Sequence, residues 1–320
     1  MTVLVLTRPL LDGVADMVVT ELTARGISVC RMDPGDFPET STLTAEIGPG
    51  GWRGSWRGQH QDPVLEEITA VYYRRPSPFR LHPGLSHDDA RWASSEARAG
   101  LGGILTSLPC IWINHPHHNA QADFAPLALA TAVRCGLRVP PTLITNDPAE
   151  ARTFISGLPG KTAAYKALGT TGPGSRNGEQ YALWTTQVRA DDITSDVART
   201  AHLFQQWIDK QYEVRLTAVN EQMFAAEIHA GSDASRADFR RDYDSLTFRE
   251  CGVPDAVRKG VRRLMEAFGL RYVALDFLVN HQAAWHLVDI NPSGQYGFIP
   301  ELRDPITRAL ADALQEGEAR

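Results

Sequence analysis

Apolar and polar positions along this chain switch between two periods, and the switches lay out its elements. Val3 to Thr7 is an unbroken apolar run, the pattern of a buried strand. From Asp12 to Arg25 the apolar residues Val14, Met17, Val18 and Leu22 fall three to four apart, which predicts a helix closed by Gly26. Ile27 to Met32 returns to strand, so the chain opens as a small α/β domain. Ile68 to Arg75 and Cys110 to Ile113 predict further strands, with a helix from Asp88 to Leu105 between them. Gly48 to Gly58 (GPGGWRGSWRG) reads as a hairpin tip. Asn114 to Asn119 (NHPHHN) reads as a loop, because His115, His117 and His118 beside a proline lack helical metal-ligand spacing.

Ala122 to Cys135 predicts an apolar helix stopped by Gly136, and Val139 to Asn146 a strand entering a new domain. A helix from Asp147 to Ser156 carries Pro148 in its first turn. Strands follow at Thr162 to Leu168, Ala182 to Gln187, Leu203 to Ile208, Glu213 to Val219 and Gln222 to His229. In the fourth of these, Glu213, Arg215 and Thr217 share one face, which by default is solvated. Ser232 to Asp244 is polar and reads as loop, Pro254 to Phe268 as an amphipathic helix, and Pro305 to Leu314 as the last helix.

The most informative stretch is Arg271 to Ile299. Tyr272 to Val279 and Trp285 to Asn291 alternate as two strands of a hairpin. A turn centred between Gln282 and Ala283 puts Asp276 opposite Asp289, with Cβ atoms roughly 5 Å apart. Asn291 lies two residues on and shares their face. Two facing carboxylates need a cation, and an all-oxygen set favours Mg²⁺ or Mn²⁺ over zinc.

Composition narrows the class. A chain of 320 residues allows two or three domains, and 43% hydrophobic with 22% charged residues is ordinary for a globular protein. A net charge of −6 argues against a nucleic-acid surface, including one built on Trp52, Arg53, Trp56 and Arg57. Cys30, Cys110, Cys135 and Cys251 stand far apart with no CxxC, which excludes a disulfide framework or zinc site. The N-terminus lacks the marks of a signal peptide and no apolar run is long enough to span a bilayer, so the expectation is a soluble, cytoplasmic protein without membrane partners.

Three further features carry chemistry. Lys166 sits on a strand of small and apolar residues, where an uncompensated cation is costly. Gly169 to Arg176 (GTTGPGSR) follows at once, a loop of backbone N–H groups and hydroxyls suited to phosphates, though not a GxxxxGK[ST] loop. Arg74 and Arg75 point to opposite faces, so at most one would reach a shared site, and a solvated strand end is an equal reading.

Lys166, the Gly-rich loop, LFQQWIDK, Glu213-Val-Arg215, Asp276 and Asp289-Ile-Asn-Pro292 run in an order that resembles ATP-grasp ligases. The ending DINPSGQYGF resembles the ATP-grasp ribosomal peptide maturases, the graspetide or microviridin-type macrocyclases, whose segment reads ExNPxGQW or close to it. YRRP at 72–76, GLxVPxTLxTNDP at Gly136 to Pro148, and the DxR motif at Asp238 to Arg240 add to the resemblance, which covers most of the chain.

The resemblance implies an α/β chain of α+β subdomains: an N-terminal pre-ATP-grasp domain over 1–120, a central ATP-grasp subdomain over 121–205, and a C-terminal subdomain with a Mg²⁺ site over 206–320. ATP phosphates would meet Lys166 and the loop residues Gly169, Thr170, Thr171 and Gly172. Gln205, Gln206, Trp207 and Ile208 would form the hinge against adenine, mainly through backbone groups, and Glu213 would reach the ribose. Asp276, Asp289 and Asn291 would hold Mg²⁺. Arg215 would face the phosphates or an acyl phosphate, and Asp238 and Arg240 the reacting side chains, with Asp238 as a candidate proton acceptor. The implied reaction phosphorylates an Asp or Glu side chain of a precursor peptide, and a Ser, Thr or Lys side chain then displaces phosphate to close an ester or amide ring. A leader segment docking near the Pro254 to Phe268 helix and a homodimer are further expectations. Two departures stand out: Ala125 occupies a helix position where related enzymes carry lysine, and Asp289 replaces the commoner Glu. The rival readings are an ATP-grasp ligase acting on another carboxylate and a non-catalytic ATP-grasp protein.

Overall fold

The computed structural model describes residues 2–8, 12–169, 175–176, 179–180 and 184–316. The chain opens with β1 (Thr2–Leu6), α1 (Gly13–Ala24) and β2 (Ser28–Met32), and the Asp12 side chain caps α1 by accepting from the Ala15 N–H. The Gly, Trp and Arg stretch forms the second arm of the hairpin β3 (Thr42–Gly48) and β4 (Gly51–Arg57). Trp56 is buried there and donates to Ser41 Oγ at 2.9 Å. Gly54 has φ +138°, and a Cβ on it would lie 2.1 Å from the Thr44 carbonyl oxygen, so only glycine fits.

β5 (Ile68–Tyr73) follows. The helix predicted over 88–105 is α2 (His87–Ala97) and α3 (Gly103–Thr106) joined by a π turn at Arg98–Gly102, where glycines loosen the backbone. β6 (Ile111–Ile113) completes a parallel sheet of order β2-β1-β5-β6. The stretch expected to be a histidine loop is instead α4 (Pro116–Ala122), because His115 caps the His117 N–H and Pro116 needs no partner in a first turn. Asp123 and Phe124 divide α4 from α5 (Ala125–Arg134), where Pro126 starts a new helix rather than continuing the old one.

The second sheet is antiparallel. It contains β7 (Thr142–Thr145), β8 (Ala163–Lys166), β11 (Thr186–Val188) and β12 (His202–Gln206) in the order β11-β8-β12-β7. α6 (Pro148–Gly157), capped by Asp147, covers one face through Ala151 and Ile155 packed on Ala163 and Phe204. A two-residue ribbon, β9 (Ser175–Arg176) and β10 (Glu179–Gln180), stands apart.

The third sheet, order β15-β14-β13-β16-β17, is built from β13 (Lys210–Val219), β14 (Gln222–His229), β15 (Thr247–Glu250), β16 (Tyr272–Asn280) and β17 (Trp285–Asn291). The polar 232–244 segment is not plain loop: it holds the single turn α7 (Asp233–Ala237), capped by Ser232, and two 3₁₀ turns. α8 (Asp255–Phe268) buries Val261, Leu264, Met265 and Phe268 against Val214, Leu216, Leu275 and Phe277 of the sheet and Ala128 and Ala132 of α5. Its apolar face is thus filled by the protein itself, and the leader groove expected beside this helix is not on that face.

The opposite face of the third sheet carries Glu213, Arg215, Thr217 and Asp276, all less than 9% exposed. The expectation that this charged face is solvated fails, because the chain folds over it. α9 (Pro300–Gln315) begins five residues before Pro305, which it accommodates in its second turn. It lays Leu302, Ile306, Leu310 and Leu314 on Val14, Val18 and Leu22 of α1 and on Val3 and Val5, so the end of the chain is packed into its beginning.

Candidate functional site

A cleft of about 820 Å³ runs between the second and third sheets and reaches the carboxyl end of the first. The β16–β17 hairpin forms one wall. From the turn, Val279 pairs with Trp285, Leu278 with His286 and Phe277 with Leu287; then the register shifts and Asp276 pairs with Asp289. The turn is therefore centred on Gln282, half a residue from the expected place, and Val288 is an extra residue, a β-bulge that brings the two aspartates opposite each other. The Asn280 side chain holds the turn by accepting from the N–H groups of Gln282 and Ala284 at 3.0 and 2.9 Å.

Asp276 is buried, while Asp289 is exposed to the cleft. Arg215 Nη2 donates to Asp276 Oδ2 at 3.2 Å. Arg215 Nε lies 2.7 Å from Asp276 Oδ1 but off line for a hydrogen bond, so among the described residues Oδ1 is ion-paired yet accepts no hydrogen bond. Burial pushes the Asp276 carboxyl up to about 6; Arg215 opposes this and Asp289 adds to it. A buried carboxylate with lone pairs to spare, facing a second carboxylate, fits a hard cation. Among the described residues no three His, Cys, Asp or Glu cluster into a metal site, so the remaining ligands would come from outside the chain, as phosphate oxygens do for Mg²⁺. Asn291 lines the same wall, with Oδ1 also accepting from the Ser293 N–H at 3.0 Å.

Lys166, at the end of β8, forms the facing wall. Its Nζ donates to Gln205 Oε1 at 2.9 Å and to the carbonyl of the bulge residue Val288 at 3.2 Å. Burial lowers its pKa, while Asp289 and Asp276 pull it the other way from a distance. With only neutral hydrogen-bond partners among the described residues, this cation suits an anion in the cleft. Gly169 lines the cleft; Thr170, Thr171 and Gly172 lie outside the described residues.

Gln205, Gln206, Trp207 and Ile208 line the cleft at its outer end. The Gln205 side chain is already engaged by Lys166 and by Thr142 Oγ1 at 2.9 Å. The N–H groups of Gln206 and Trp207 bond to the carbonyls of Pro141 and Thr162. Contacts to a base here fall to the other backbone groups of 206–208. Glu213 accepts from Lys210 Nζ at 2.7 Å, and burial raises its pKa.

Arg215 is held on several sides: by Asp276, by the Gln295 carbonyl at 3.2 Å, and by the rings of Phe239 and Phe298, 5.7 and 5.3 Å from its guanidinium carbon. Gly294 makes this possible, since a Cβ there would lie 2.3 Å from that of Ala274. Asp238 binds Arg240 through two bonds of 2.8 and 2.7 Å and accepts from the Thr185 N–H at 3.3 Å. Burial works against the Asp238 carboxylate, but Arg240 outweighs it and holds the pKa below the ordinary value. That arrangement corrects the expectation for Asp238: a carboxylate so fully engaged is a poor proton acceptor, and its geometry suits it to aiming Arg240 into the cleft.

The reading of 74–75 also changes. Arg74 is 1% exposed, bonded to Asp12 at 3.0 Å and to the carbonyls of Ser293 and Gly294, while Arg75 lines the cleft. Arg74 thus anchors the turn after Asn291, and Arg75 alone of the two lines the cavity. Asp123 was missed by sequence reasoning; burial and the nearby Asp289 raise its pKa. Ala125 lines the cleft beside it and offers no charge, and Lys161 is not among the lining residues.

Residues 2–120 match the family model described as the MvdD pre-ATP grasp domain. No curated protein sequence matches the chain. The macrocyclase MdnC of Microcystis aeruginosa MRC, solved with precursor peptide MdnA, is 25% identical over 99% of this chain and 100% of that one, with a TM-score of 0.85. A RiPP-associated ATP-grasp ligase of Chryseobacterium gregarium, solved with ADP and a leader and core peptide, is 24% identical over 98% of this chain and 96% of that one, with a TM-score of 0.89. The ATP-grasp ligase PsnB, solved with a phosphomimetic precursor variant, Mg and ADP, is 24% identical over 98% of both chains, with a TM-score of 0.73. The chain has the ATP-grasp fold with an N-terminal pre-ATP-grasp domain, and its resemblance to the ATP-grasp peptide maturases extends over its whole length.

Proposed function

We propose that this chain is an ATP-dependent ligase that closes side-chain ester or amide rings in a ribosomal precursor peptide. The observation that carries the reading is one cleft wall bearing the Asp276 and Asp289 pair, with an Asp276 oxygen that accepts no hydrogen bond, faced by Lys166, whose hydrogen bonds among the described residues go only to neutral groups. That is a receptacle for a polyphosphate and its cation. Bound ATP and Mg²⁺ would supply a phosphoryl group to an Asp or Glu side chain; a hydroxyl or amine of the same peptide would then attack the acyl carbon and expel inorganic phosphate as the ester or amide bond forms.

The chain's own residues would divide that work by position. Asp276, Asp289 and Asn291 would hold Mg²⁺, or Mn²⁺ in its place. Lys166, with Gly169, Thr170, Thr171 and Gly172, would neutralise and align the phosphates. The backbone of 205–208 would take the base, and Glu213 the ribose. Arg215, fixed by Asp276 and two aromatic rings, would offer its remaining donors to the transferring group. Arg240, aimed by Asp238, would meet the reacting side chain. Catalysis of this kind is positioning and charge stabilisation. The reading includes the division into 1–120, 121–205 and 206–320, a cytoplasmic location where ATP is available, and a homodimer. Among the described residues, no helix is long and apolar enough to cross a membrane.

The test is the intact mass of a candidate acidic precursor peptide, ideally one encoded beside the gene, after incubation with the protein, ATP and Mg²⁺. Loss of one water mass per ring, abolished by Asp289→Ala, is the expected result. A gain of one amino-acid residue would replace the reading with that of a ligase acting on another carboxylate. No mass change and no phosphate release, with ATP binding intact, would leave a non-catalytic protein.

A further inference from the structure

Two arginines at the carboxyl edge of the first sheet have no role in the site so far. β1 and β5 are adjacent and parallel, with Leu6 paired to Tyr73. Two residues beyond each partner stand Arg8 and Arg75, and both line the cleft. In open α/β sheets this edge, outside the carboxyl ends of the strands, is where ligands bind. Arg74 turns the other way and is bonded to Asp12 and to the carbonyls of Ser293 and Gly294, which fixes this edge against the turn following Asn291. Arg75 itself has φ +47°, a left-handed conformation that non-glycine residues adopt rarely and that is kept where the surroundings impose it, often at ligand sites.

Among the described residues no Asp or Glu oxygen lies within 4.0 Å of the guanidinium of Arg8 or Arg75. Arg75 is partly buried while Arg8 is exposed. Burial, Arg74 and Arg8 weaken the hold of Arg75 on its proton, and Asp12 only partly offsets them. A partly buried cation beside like charges gains when an anion joins it.

Position decides which anion. Along β16 the hinge end is Asn280, paired with Lys210, and the far end is Tyr272, whose carbonyl accepts from Asn114 just after β6. Asp276 is midway, and Asn291 pairs with Ala274 one step nearer the first sheet. A nucleotide with its base at the hinge and its phosphates at the aspartate pair points its terminal phosphate toward Arg8 and Arg75. Whatever they bind lies beyond that phosphate, where the phosphoryl acceptor must be. The guanidinium fork matches a carboxylate.

Resting on the ligase reading above, we propose that Arg8 and Arg75 form the edge of the cleft that binds the carboxylate of the peptide's acidic side chain for phosphorylation. The test measures ring formation against peptide concentration for the full chain and for Arg75→Ala, Arg75→Lys and Arg8→Ala, using an acidic precursor peptide that the wild-type chain cyclises. Arg75→Ala should raise the peptide KM by about tenfold or more, the loss of one charge-assisted contact, and leave the KM for ATP within about twofold. Arg75→Lys should recover part of the loss, and Arg8→Ala should act in the same direction. Melting temperature should not move, since among the described residues the Arg75 side chain makes no hydrogen bond. An unchanged peptide KM, or a rise in the KM for ATP instead, overturns the inference and leaves the ligase reading standing. A wild-type chain that neither alters the peptide nor releases phosphate removes that reading, and the inference with it.

Discussion

Asp276 and Asp289 face each other across β16 and β17 because Val288 is one residue more than the ladder needs, and the carbonyl of that same residue accepts from Lys166. A single bulge thus sets the carboxylate pair on one wall and ties it to the cation on the other. Bulges next to functional sites commonly re-aim side chains in this way.

Asp289→Asn tests the pair. The substitution removes one of two facing like charges, so the melting temperature of the nucleotide-free chain should hold or rise slightly. Affinity for ATP in the presence of Mg²⁺ should fall by about tenfold or more, one lost charge-assisted ligand. Calorimetric titration alongside a thermal melt reads both. Wild-type affinity in the variant would take Asp289 out of the site.

The aspartate pair was legible because strand alternation survives in a single sequence, yet it was reached from a turn placed half a residue away, an error that the bulge cancels. Val288 itself gives no signal, since a valine suits a ladder as well as a bulge. The helix over 116–122 was legible in part: Pro116 marks a first turn, but the surrounding histidines drew attention instead. Burial of Glu213, Arg215 and Arg74 could not be read locally. It depends on the 292–299 turn, the rings of Phe239 and Phe298, and Asp12 some sixty residues away from Arg74, none of which a strand pattern reveals.

Lys166→Met should separate stability from binding. In the free protein the ammonium is withdrawn from water with two neutral partners, so an apolar side chain of similar length should leave the melting temperature unchanged or higher. ATP affinity should fall by about tenfold or more. The lowered lysine pKa adds a pH signature. Bound polyphosphate favours the charged form, so ATP binding should take up protons as pH rises toward that lowered value. Calorimetry in buffers of different ionisation enthalpy would detect the uptake, and its persistence in Lys166→Met would assign it to another group.

Asp238→Asn should destabilise the chain in a pH-dependent way. The carboxylate's folded pKa lies below its unfolded value near about 3.9, so its contribution is fully present above that value and is lost as pH falls through the folded pKa. At neutral pH the variant should lose roughly 1 kcal/mol, modest because Arg240 is partly solvated. Urea denaturation of both proteins from pH 7 to pH 3 should show the gap closing only in acid. A gap independent of pH would mean that the side chain acts by packing. Ring formation should fall through misplacement of Arg240, so the peptide KM should rise.

The last prediction concerns the ion pair farthest from the reacting atoms. Arg74 and Asp12 are 1% and 2% exposed, and the same guanidinium grips the carbonyls of Ser293 and Gly294. Arg74→Ala strands a buried carboxylate and should cost roughly 3–5 kcal/mol by urea denaturation. Adding Asp12→Asn keeps an oxygen to cap α1 while removing the stranded charge, and should return much of that stability. It cannot restore the grip on the 293–294 turn, which orients Asn291 on one side and Arg215, through Gln295, on the other. The double variant should therefore fold well, bind ATP and Mg²⁺ several-fold more weakly and close rings slowly. Full activity in the double variant would show that the Asp12–Arg74 pair serves stability alone and that the turn is held by its own contacts.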